Sequence, residues 1–115
     1  MTASIVTINW NGVHFLDTLF KSLRLQTLDP EEYEIVMVDN GSSDNSVEYV
    51  ARLFPEVKIV KNSRNDGFAG GCNIGFKNSK GKYIVLVNND MELDKNWLKY
   101  LVEAADKSVH QGMSG

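Results

Sequence analysis

Short apolar runs alternate along the chain with longer stretches in which apolar residues recur every three or four positions. The short runs lie at residues 4–8, 34–38, 57–61 and 82–87 and are rich in Val and Ile, a composition typical of β-strands. The longer stretches have the period of an amphipathic helix with one buried face. The pattern therefore predicts four strands that alternate with helices.

The first two helices have recognisable boundaries in the sequence. One is predicted from Val13 to about Leu28, and the other ends before Pro55, with Ser42 or Ser43 as its N-terminal cap. The residues predicted to face the core from these two helices are Phe15, Leu16, Leu19, Phe20 and Leu23, then Val47, Val50, Ala51 and Phe54.

The third predicted helix, between Phe68 and Asn78, is rich in glycine and therefore weak. Its glycines do not form the G-x-G-x-x-G turn that follows the first strand of a dinucleotide-binding unit, so close packing on the sheet explains them better. Asp94 is predicted to cap a fourth helix. The inner face of that helix is Trp97, Leu98, Leu101, Val102 and Ala105.

Strands and helices that alternate with short connections predict an α/β fold with a mainly parallel sheet and helices on both faces. No linker, repeat or low-complexity segment divides residues 1–115, so a single domain is predicted. A sheet of this kind leaves the fourth strand with an unpaired edge, through which we expect the chain to be able to form a homodimer.

Polar side chains follow the end of each predicted strand. Because parallel strands end at one rim of a sheet, where such folds bind ligands, these side chains are expected to converge. They are Asn9, Trp10, Asn11, Asp39, Asn40, Asn65, Asp66, Asn88, Asn89 and Asp90. The set contains no Ser/His/Asp or Cys/His nucleophile arrangement, which indicates a binding rim for a polar ligand. Asp90 suits a magnesium-like ion completed by water and ligand phosphates.

Charge and composition exclude several classes of function. The net charge of −3 gives no general attraction for a phosphate backbone, so no nucleic-acid partner is expected. The single Cys72 cannot form an intrachain disulfide and is expected to be an inert buried thiol, and the N-terminus lacks a signal peptide, so a cytoplasmic location is expected. The longest apolar stretch, Ile84–Val87, is far shorter than the roughly 20 residues of a membrane-spanning helix.

Four motifs in order, "VTINWNG", "VDNGSSDNS", "NDGFAGGCNIG" and "YIVLVNNDMELD", give the chain a family resemblance. The chain resembles the nucleotide-binding half of family 2 glycosyltransferases of the GT-A fold, particularly the rhamnosyltransferase-like branch. The resemblance extends from Ser4 to about Ala105. It implies a nucleotide-diphosphate-sugar donor, a divalent cation and transfer of the sugar to an acceptor hydroxyl.

The resemblance assigns residues of the first two strand ends to the base and ribose of the nucleotide. Ile8 and Trp10 would form the wall around them, with Trp10 as the stacking surface. Asp39 matches the first acid of the family's "DDGS" pattern and would accept the imide N–H of uracil or thymine. That assignment favours a UDP-linked or dTDP-linked sugar.

The remaining motifs are assigned to the diphosphate, the sugar and the metal. Asn65, Gly67 and Asn73 match a segment in which small residues let a helix start approach the ligand, a placement that favours anions. The "NND" sequence falls at the family's DxD metal motif, so Asp90 and Asn88 would bind Mg²⁺ or Mn²⁺. The same match places Asn88 and Asn89 beside the donor sugar or phosphate.

The mechanism implied by the resemblance is displacement at the anomeric carbon with inversion, in which a carboxylate general base deprotonates the acceptor. In the family, that base and the acceptor pocket belong to the second half of the domain. The chain is therefore expected to be truncated after the fourth strand and its helix, with no catalytic residue assigned. A saccharide or lipid-linked acceptor would bring the intact enzyme near a membrane.

Two other classes of function compete with this reading. The first is a binding module without turnover, a shortened paralogue that pairs its fourth strand with a second copy. The second is a nucleotidyltransferase, which uses the same strand rim and a metal but carries a glycine-rich, basic loop after the first strand. The "NWNG" sequence in that place does not match such a loop.

Overall fold

The computed structural model describes residues 1–110, with side chains described as far as Ser108. Four strands and four α-helices alternate along this part of the chain, as predicted. The elements are β1 (Ala3–Asn9), α1 (Val13–Arg24), β2 (Tyr33–Asn40), α2 (Ser46–Leu53), β3 (Val57–Asn62), α3 (Gly67–Lys77), β4 (Tyr83–Leu86) and α4 (Trp97–His110), with a short 3₁₀ turn at Pro30–Glu32 before β2.

The strands form one parallel sheet in the order β3-β2-β1-β4. In the register of the sheet, Val6 of β1 lies opposite Val36 of β2 on one side and Leu86 of β4 on the other. Because every strand runs in the same direction, the loops that follow them emerge at a single edge. The predicted convergence of the strand ends at one rim is therefore confirmed.

Helices cover both faces of the sheet, as predicted. On one face, α1, α2 and α4 pack on the sheet and form the main core. The strands β1 and β2 contribute Ile5, Ile35 and Met37 to this core. On the other face α3 covers a smaller cluster of Val6, Val36 and Val38. Among the described residues, no helix is both long enough and apolar enough to cross a bilayer.

Helix α1 ends at Arg24, four residues before its predicted end at about Leu28. The reason is the buried side chain of Gln26, whose Nε2 donates to the carbonyls of Ser22 and Asp94 and whose Oε1 accepts from the backbone N–H of Leu98. Gln26 thus joins the end of α1 to the start of α4. This contact between distant segments is invisible in the helical periodicity.

Three residues predicted to face the core are exposed instead. Phe15 is 49% exposed and Leu101 38% exposed, and Ala51 is also exposed. At about 100° per residue, each lies roughly 80–100° around its helix from the centre of the buried stripe. The stripes themselves are narrower than predicted.

Helix α2 begins at Ser46 and is not capped by Ser42 or Ser43. Its first backbone N–H donates to Asp44 Oδ1, and the Ser46 hydroxyl donates to the same atom. Ser42 and Ser43 are bound instead to residues of the rim, described below. Asp94 stands before α4 as predicted, and its Oδ2 accepts from the backbone N–H of Asn96.

Helix α3 lies unusually close to the sheet, and its glycines make this possible. A Cβ atom on Gly71 would lie 2.7 Å from Ile8 Cγ2, and one on Gly75 would lie 2.5 Å from Val6 Cγ1. Real Cβ atoms do not approach so closely in a packed interior. The interpretation as close packing on the sheet is therefore supported for Gly71 and Gly75, whereas a Cβ atom on Gly70 would meet only Asp66 and one on Gly67 would meet nothing within 4 Å.

The substitution Gly75→Ala is expected to lower the free energy of unfolding by about 1 kcal/mol. Helix propensity alone favours Ala by about 1 kcal/mol, but overpacking against Val6 costs about 1–3 kcal/mol. Chemical denaturation measures the difference, and Lys77→Ala on the exposed face of α3 is the matched control. A stabilised Gly75→Ala protein would contradict the close packing of α3.

Candidate functional site

A row of hydrogen-bonded side chains crosses the carboxyl edge of the sheet. Asn9 Nδ2 donates to Asp39 Oδ1 at 3.0 Å, and Asn89 Nδ2 donates to Asn9 Oδ1 at 3.1 Å. Asn9 lies opposite Asp39 in the register of β1 and β2, and Asn89 continues the β1–β4 register past the end of β4. The loops after β1, β2 and β4 are therefore joined side chain to side chain.

The carboxylate of Asp39 is 4% exposed and has three donors. Besides Asn9, the backbone N–H of Ser42 donates to Oδ2 at 3.0 Å and the Ser42 hydroxyl donates to Oδ1 at 2.7 Å. Hydrogen bonds of this kind are the usual condition for burying a carboxylate. Since Oδ2 accepts only one of the three bonds, it retains capacity for another donor.

Asn11 ties the loop after β1 to the loop after β2. Its backbone has a φ of 53°, in the left-handed region that Asn tolerates better than most residues. Its Oδ1 accepts from the backbone N–H groups of Ser43 at 2.8 Å and Asp44 at 3.2 Å. The turn holds Trp10, which is 56% exposed, at the rim with its ring accessible to a ligand.

Asp44 stabilises the same turn through hydrogen bonds to backbone N–H groups. Its Oδ2 accepts from the backbone N–H of Val13, and its Oδ1 accepts from Ser46. Burial acts to raise the pKa of Asp44, but the hydrogen bonds from Ser46 and Val13 outweigh it and hold the pKa below its usual value. Asp44 therefore acts as a structural carboxylate at the starts of α1 and α2.

A second polar group joins β2 and β3 to the start of α3. Asn62 Nδ2 donates to Asn40 Oδ1 at 3.0 Å and to Asp66 Oδ2 at 2.9 Å, while Asn40 Nδ2 donates to the carbonyl of Gly67 at 3.0 Å. The bond from Asn62 lowers the pKa of Asp66, and the positive charge of Arg64 lowers it further. The start of α3 is thus fixed to the rim.

The residues predicted around α3 take different positions. Asn65 is exposed, and its Oδ1 accepts from the backbone N–H of Gly67 at 2.8 Å, which shapes the turn into the helix. Gly67 has a φ of 77° and is exposed. Asn73 is exposed further along α3, and no hydrogen bond among the described residues joins its side chain to the rim. Ile8 packs beneath α3 in the smaller apolar cluster.

A surface recess of about 460 Å³ opens beside Asp39, a volume within the usual range of small-ligand sites. It lies between the loops after β2 and β3. Residues that line it are Asp39, Gly41, Ser42, Asp44, Val47, Glu48, Lys61, Asn62 and Ser63. Of these, only Asp39 was among the candidate site residues, because the sequence does not indicate which loops lie next to each other.

The three residues of the "NND" sequence differ in exposure. Asn88 and Asp90 are exposed, whereas Asn89 is partly buried and bonded to Asn9. Within residues 1–110, no group of three or more His, Cys, Asp or Glu is placed to hold a metal ion. One carboxylate and one amide oxygen fit Mg²⁺ or Mn²⁺ only where ligand phosphates and water complete the coordination.

Asn9 was expected at the rim but was assigned no role there, and Gly12 was not singled out, although both shape the rim. Asn9 is completely buried between Asp39 and Asn89. The spacing of 30 residues from Asn9 to Asp39 and 80 residues from Asn9 to Asn89 is the same as the register of the paired strands. The hydrophobic pattern predicts the strands but not the register in which they pair, so these two contacts could not be predicted from the sequence.

Comparison with known proteins identifies the family. A family model described as glycosyl transferase family 2 matches residues 4–114, nearly the whole chain. The chain belongs to glycosyl transferase family 2. The resemblance carried by the four sequence motifs is therefore confirmed at the level of the family.

Curated glycosyltransferases that match the chain are much longer than it is. An uncharacterized glycosyltransferase of Haemophilus influenzae is 28% identical over 110 residues, which are 93% of this chain and 33% of that protein. TarS of Staphylococcus aureus, a poly(ribitol-phosphate) beta-N-acetylglucosaminyltransferase, is 26% identical over 102 residues, 86% of this chain and 18% of its own. The chain thus spans a third or less of the length of these relatives.

Solved structures of glycosyltransferases have the same architecture. TarS 1–349 gives a TM-score of 0.85 at 25% identity over 93% of this chain and 33% of its own, and its complex with UDP-GlcNAc gives 0.86 at 24% identity over 93% and 32%. A mannosyltransferase from Pyrobaculum calidifontis, in complex with GDP-Man and Mn²⁺, gives 0.77 at 18% identity over 90% and 31%. The fold is therefore the GT-A fold of TarS, as the resemblance implied.

Proposed function

We propose that the chain forms the donor-binding part of a glycosyltransferase that transfers a sugar from a nucleotide diphosphate to an acceptor hydroxyl. The observation that carries the proposal is the row of Asn89, Asn9 and Asp39, which brings the loops of three strands to one rim. A site assembled from loops of adjacent parallel strands suits a ligand with several separate parts, such as a base, a diphosphate and a sugar.

The base is assigned to the side of the rim formed by β1 and β2. Asp39 Oδ2 has capacity to accept one more hydrogen bond, and the imide N–H of uracil or thymine supplies the matching donor. The exposed ring of Trp10 offers a stacking surface, and Ile8 supports the wall beneath it. The complex of TarS with UDP-GlcNAc supports a uridine nucleotide, and a UDP-linked or dTDP-linked sugar is proposed here.

The diphosphate is assigned to the start of α3. Backbone N–H groups in the first turn of an α-helix have no partner within the helix and can bind an anion, and the helix dipole favours negative charge there. In α3 the N–H of Gly67 already donates to Asn65, so the N–H groups that follow it are the ones proposed to bind the diphosphate. Asn65 shapes this turn, and the absence of a side chain at Gly67 leaves the backbone open to the ligand. Asn73, on the exposed side of the same helix, is proposed to extend the polar wall.

Asp90 and Asn88 are proposed to hold Mg²⁺ or Mn²⁺ together with the two phosphates of the donor. The bound ion would stabilise negative charge on the departing nucleoside diphosphate. The protein residues orient the donor for inversion at its anomeric carbon, with Asn89 and Asn88 beside the sugar or phosphate. The mannosyltransferase complex with Mn²⁺ supports use of a divalent ion in this fold.

The acceptor is proposed to be a saccharide or a lipid-linked saccharide of a cell-surface polymer. The support comes from relatives named as poly(ribitol-phosphate) glycosyltransferases, of which one from Bacillus spizizenii is 32% identical over 94 residues, 78% of this chain and 15% of its own. Membership of the rhamnosyltransferase-like branch stays a prediction from the motifs. The general base is assigned to no residue of this chain.

Titration with nucleotides tests the proposal directly. Mn²⁺ is expected to tighten the binding of UDP and dTDP by about tenfold or more, because a divalent ion held by Asp90 and Asn88 would attract the negatively charged diphosphate. Intrinsic fluorescence reports the binding, and Trp10→Phe separates the signal of Trp10 from that of Trp97. GDP is expected to bind more weakly than UDP.

The substitution Asp90→Ala is expected to remove the effect of Mn²⁺ on UDP binding and to leave metal-free binding within about twofold of the unmodified chain. Glu92→Ala, which removes an exposed acid two residues away, is the matched control. Binding that never depends on metal would favour a binding or self-assembly module. A preference for UTP over UDP would favour a nucleotidyltransferase.

A further inference from the structure

We infer that Asn9 and Asn89 are positioning residues that hold Asp39 and the metal-bearing segment 88–90 as one unit, so that base recognition and metal binding are coupled. The inference rests on the proposed function, because it assigns a role to the hydrogen bonds between the two parts of that site. Asp39, which is proposed to bind the base, is buried, and Asp90, which is proposed to bind the metal, is exposed. Asn9 lies between their segments.

The amide of Asn9 has one permitted orientation. Its Nδ2 donates to the carboxylate of Asp39, and its Oδ1 accepts from Asn89. Rotation by 180° would place Asn9 Oδ1 against the Asp39 carboxylate and two NH₂ groups against each other. Since Asn9 is 0% exposed, water cannot replace either bond, so each neighbour fixes the position of the other.

Asn89 is the residue that anchors its segment. Asn88 and Asp90 on either side are exposed, and among the described residues Asn89 is the one of the three whose side chain bonds to another strand end. A shift of Asn89 would therefore move the two proposed metal ligands and release one partner of Asn9. Any ligand that orders one side of the rim would then favour the ordered state of the other.

Gly12 supplies an independent observation that the rim is built around this contact. A Cβ atom on Gly12 would lie 2.3 Å from Asn89 Nδ2 and 2.6 Å from Asn9 Oδ1, the two atoms of the hydrogen bond. Its φ of −107° is open to any residue, so backbone conformation does not require glycine there. The space taken by the Asn9–Asn89 pair is the physical reason for glycine at this position.

A double-mutant cycle in the free protein tests the coupling without any ligand. Asn89→Ala and Asp39→Asn are made singly and together, and urea unfolding gives the equilibrium constant of each protein. Asp39→Asn keeps the shape of the buried side chain, so all variants are expected to fold. The unfolding constant of the double variant is expected to differ from the product of the single effects by at least about twofold, because the two residues share Asn9 as a partner.

Nucleotide binding without metal supplies the readout that a purely structural role would not change. Asn89→Ala is expected to weaken UDP binding about three- to tenfold in the absence of Mn²⁺, the effect of one lost hydrogen bond acting through Asp39. GDP binding is expected to change by less than about twofold, and in an Asp39→Asn background Asn89→Ala adds no further loss. Gly12→Ala should reproduce the effect, and Met91→Ala, an exposed side chain in the same loop, should not.

The outcomes separate the inference from the proposed function. Additive effects on unfolding, or metal-free UDP binding that Asn89→Ala leaves unchanged, would overturn the coupling while the donor site stands. Suppose that the double-mutant cycle is non-additive but the chain binds no uridine nucleotide. That result would refute the proposed function, and it would also refute the coupling between base recognition and metal binding. Non-additive unfolding together with a uridine-selective loss supports both.

Discussion

Replacing Asp39 with Ala is expected to lower the free energy of unfolding by about 3 kcal/mol and to abolish the preference for uracil and thymine nucleotides. The buried carboxylate accepts from Asn9 Nδ2 and from the backbone N–H and hydroxyl of Ser42. Each buried donor left without a partner costs about 1–3 kcal/mol. Chemical denaturation measures the stability, and titration with UDP and GDP measures the preference.

Two further substitutions separate stability from recognition at this position. Asp39→Asn retains one acceptor oxygen and the same shape, so the loss of stability should be smaller than for Asp39→Ala, while the amide no longer offers a carboxylate to the imide N–H. Glu103→Ala removes an exposed acid on α4 and should change stability by less than about 0.5 kcal/mol. Equal weakening of UDP and GDP by Asp39→Ala would refute the assignment of the base.

The rim was predictable because it depends on topology alone. Four strands joined by helices imply a parallel sheet, and parallel strands bring their carboxyl ends to one edge whatever the details of their pairing. Asp39 and Asn89 follow from that rule, and the structure joins them through Asn9. The roles of Asn65, Asn73, Asn88 and Asp90 in binding a ligand stay predictions.

The parts that could not be predicted depend on contacts between distant segments. The end of α1 is set by Gln26, which bonds to α4 some 70 residues away. The first backbone N–H of α2 bonds to Asp44, because the hydroxyls of Ser42 and Ser43 are bonded to Asp39 and Asn11. In each case several polar side chains compete for the same backbone groups, and local preference does not decide which one binds.

The same distinction explains why the proposed metal ligands could be named from the sequence whereas the partners of Asn9 could not. Asp90 was a candidate because a carboxylate directly after a strand suits a metal ion, and Asn88 was a candidate because the family resemblance matches it to the DxD metal motif. Asn9 acts through a buried amide, and its importance depends on having Asp39 on one side and Asn89 on the other. Its place after the first strand predicts a position at the rim, but its residue type does not indicate which partners it binds.

Phe20→Ala is expected to give the largest loss of stability, about 3–5 kcal/mol, because it leaves a cavity in the main core. Phe20 is 0% exposed and packs against Phe54, with ring centroids 5.6 Å apart. Phe15→Ala is the matched control, since it removes the same side chain from the same helix where the ring is 49% exposed. Its expected loss is below about 1 kcal/mol.

Urea unfolding of the two variants distinguishes the burial of Phe15 and Phe20 in the structure from the burial that the helical periodicity predicts. The pattern places both Phe15 and Phe20 in the core, so it predicts similar losses for both. The structure predicts a difference of several kcal/mol, because only Phe20 lies within the stripe that α1 presses against the sheet. Similar losses for Phe15→Ala and Phe20→Ala would place α1 in a different rotation and would move Asn11 and Trp10, which precede it, away from the rim.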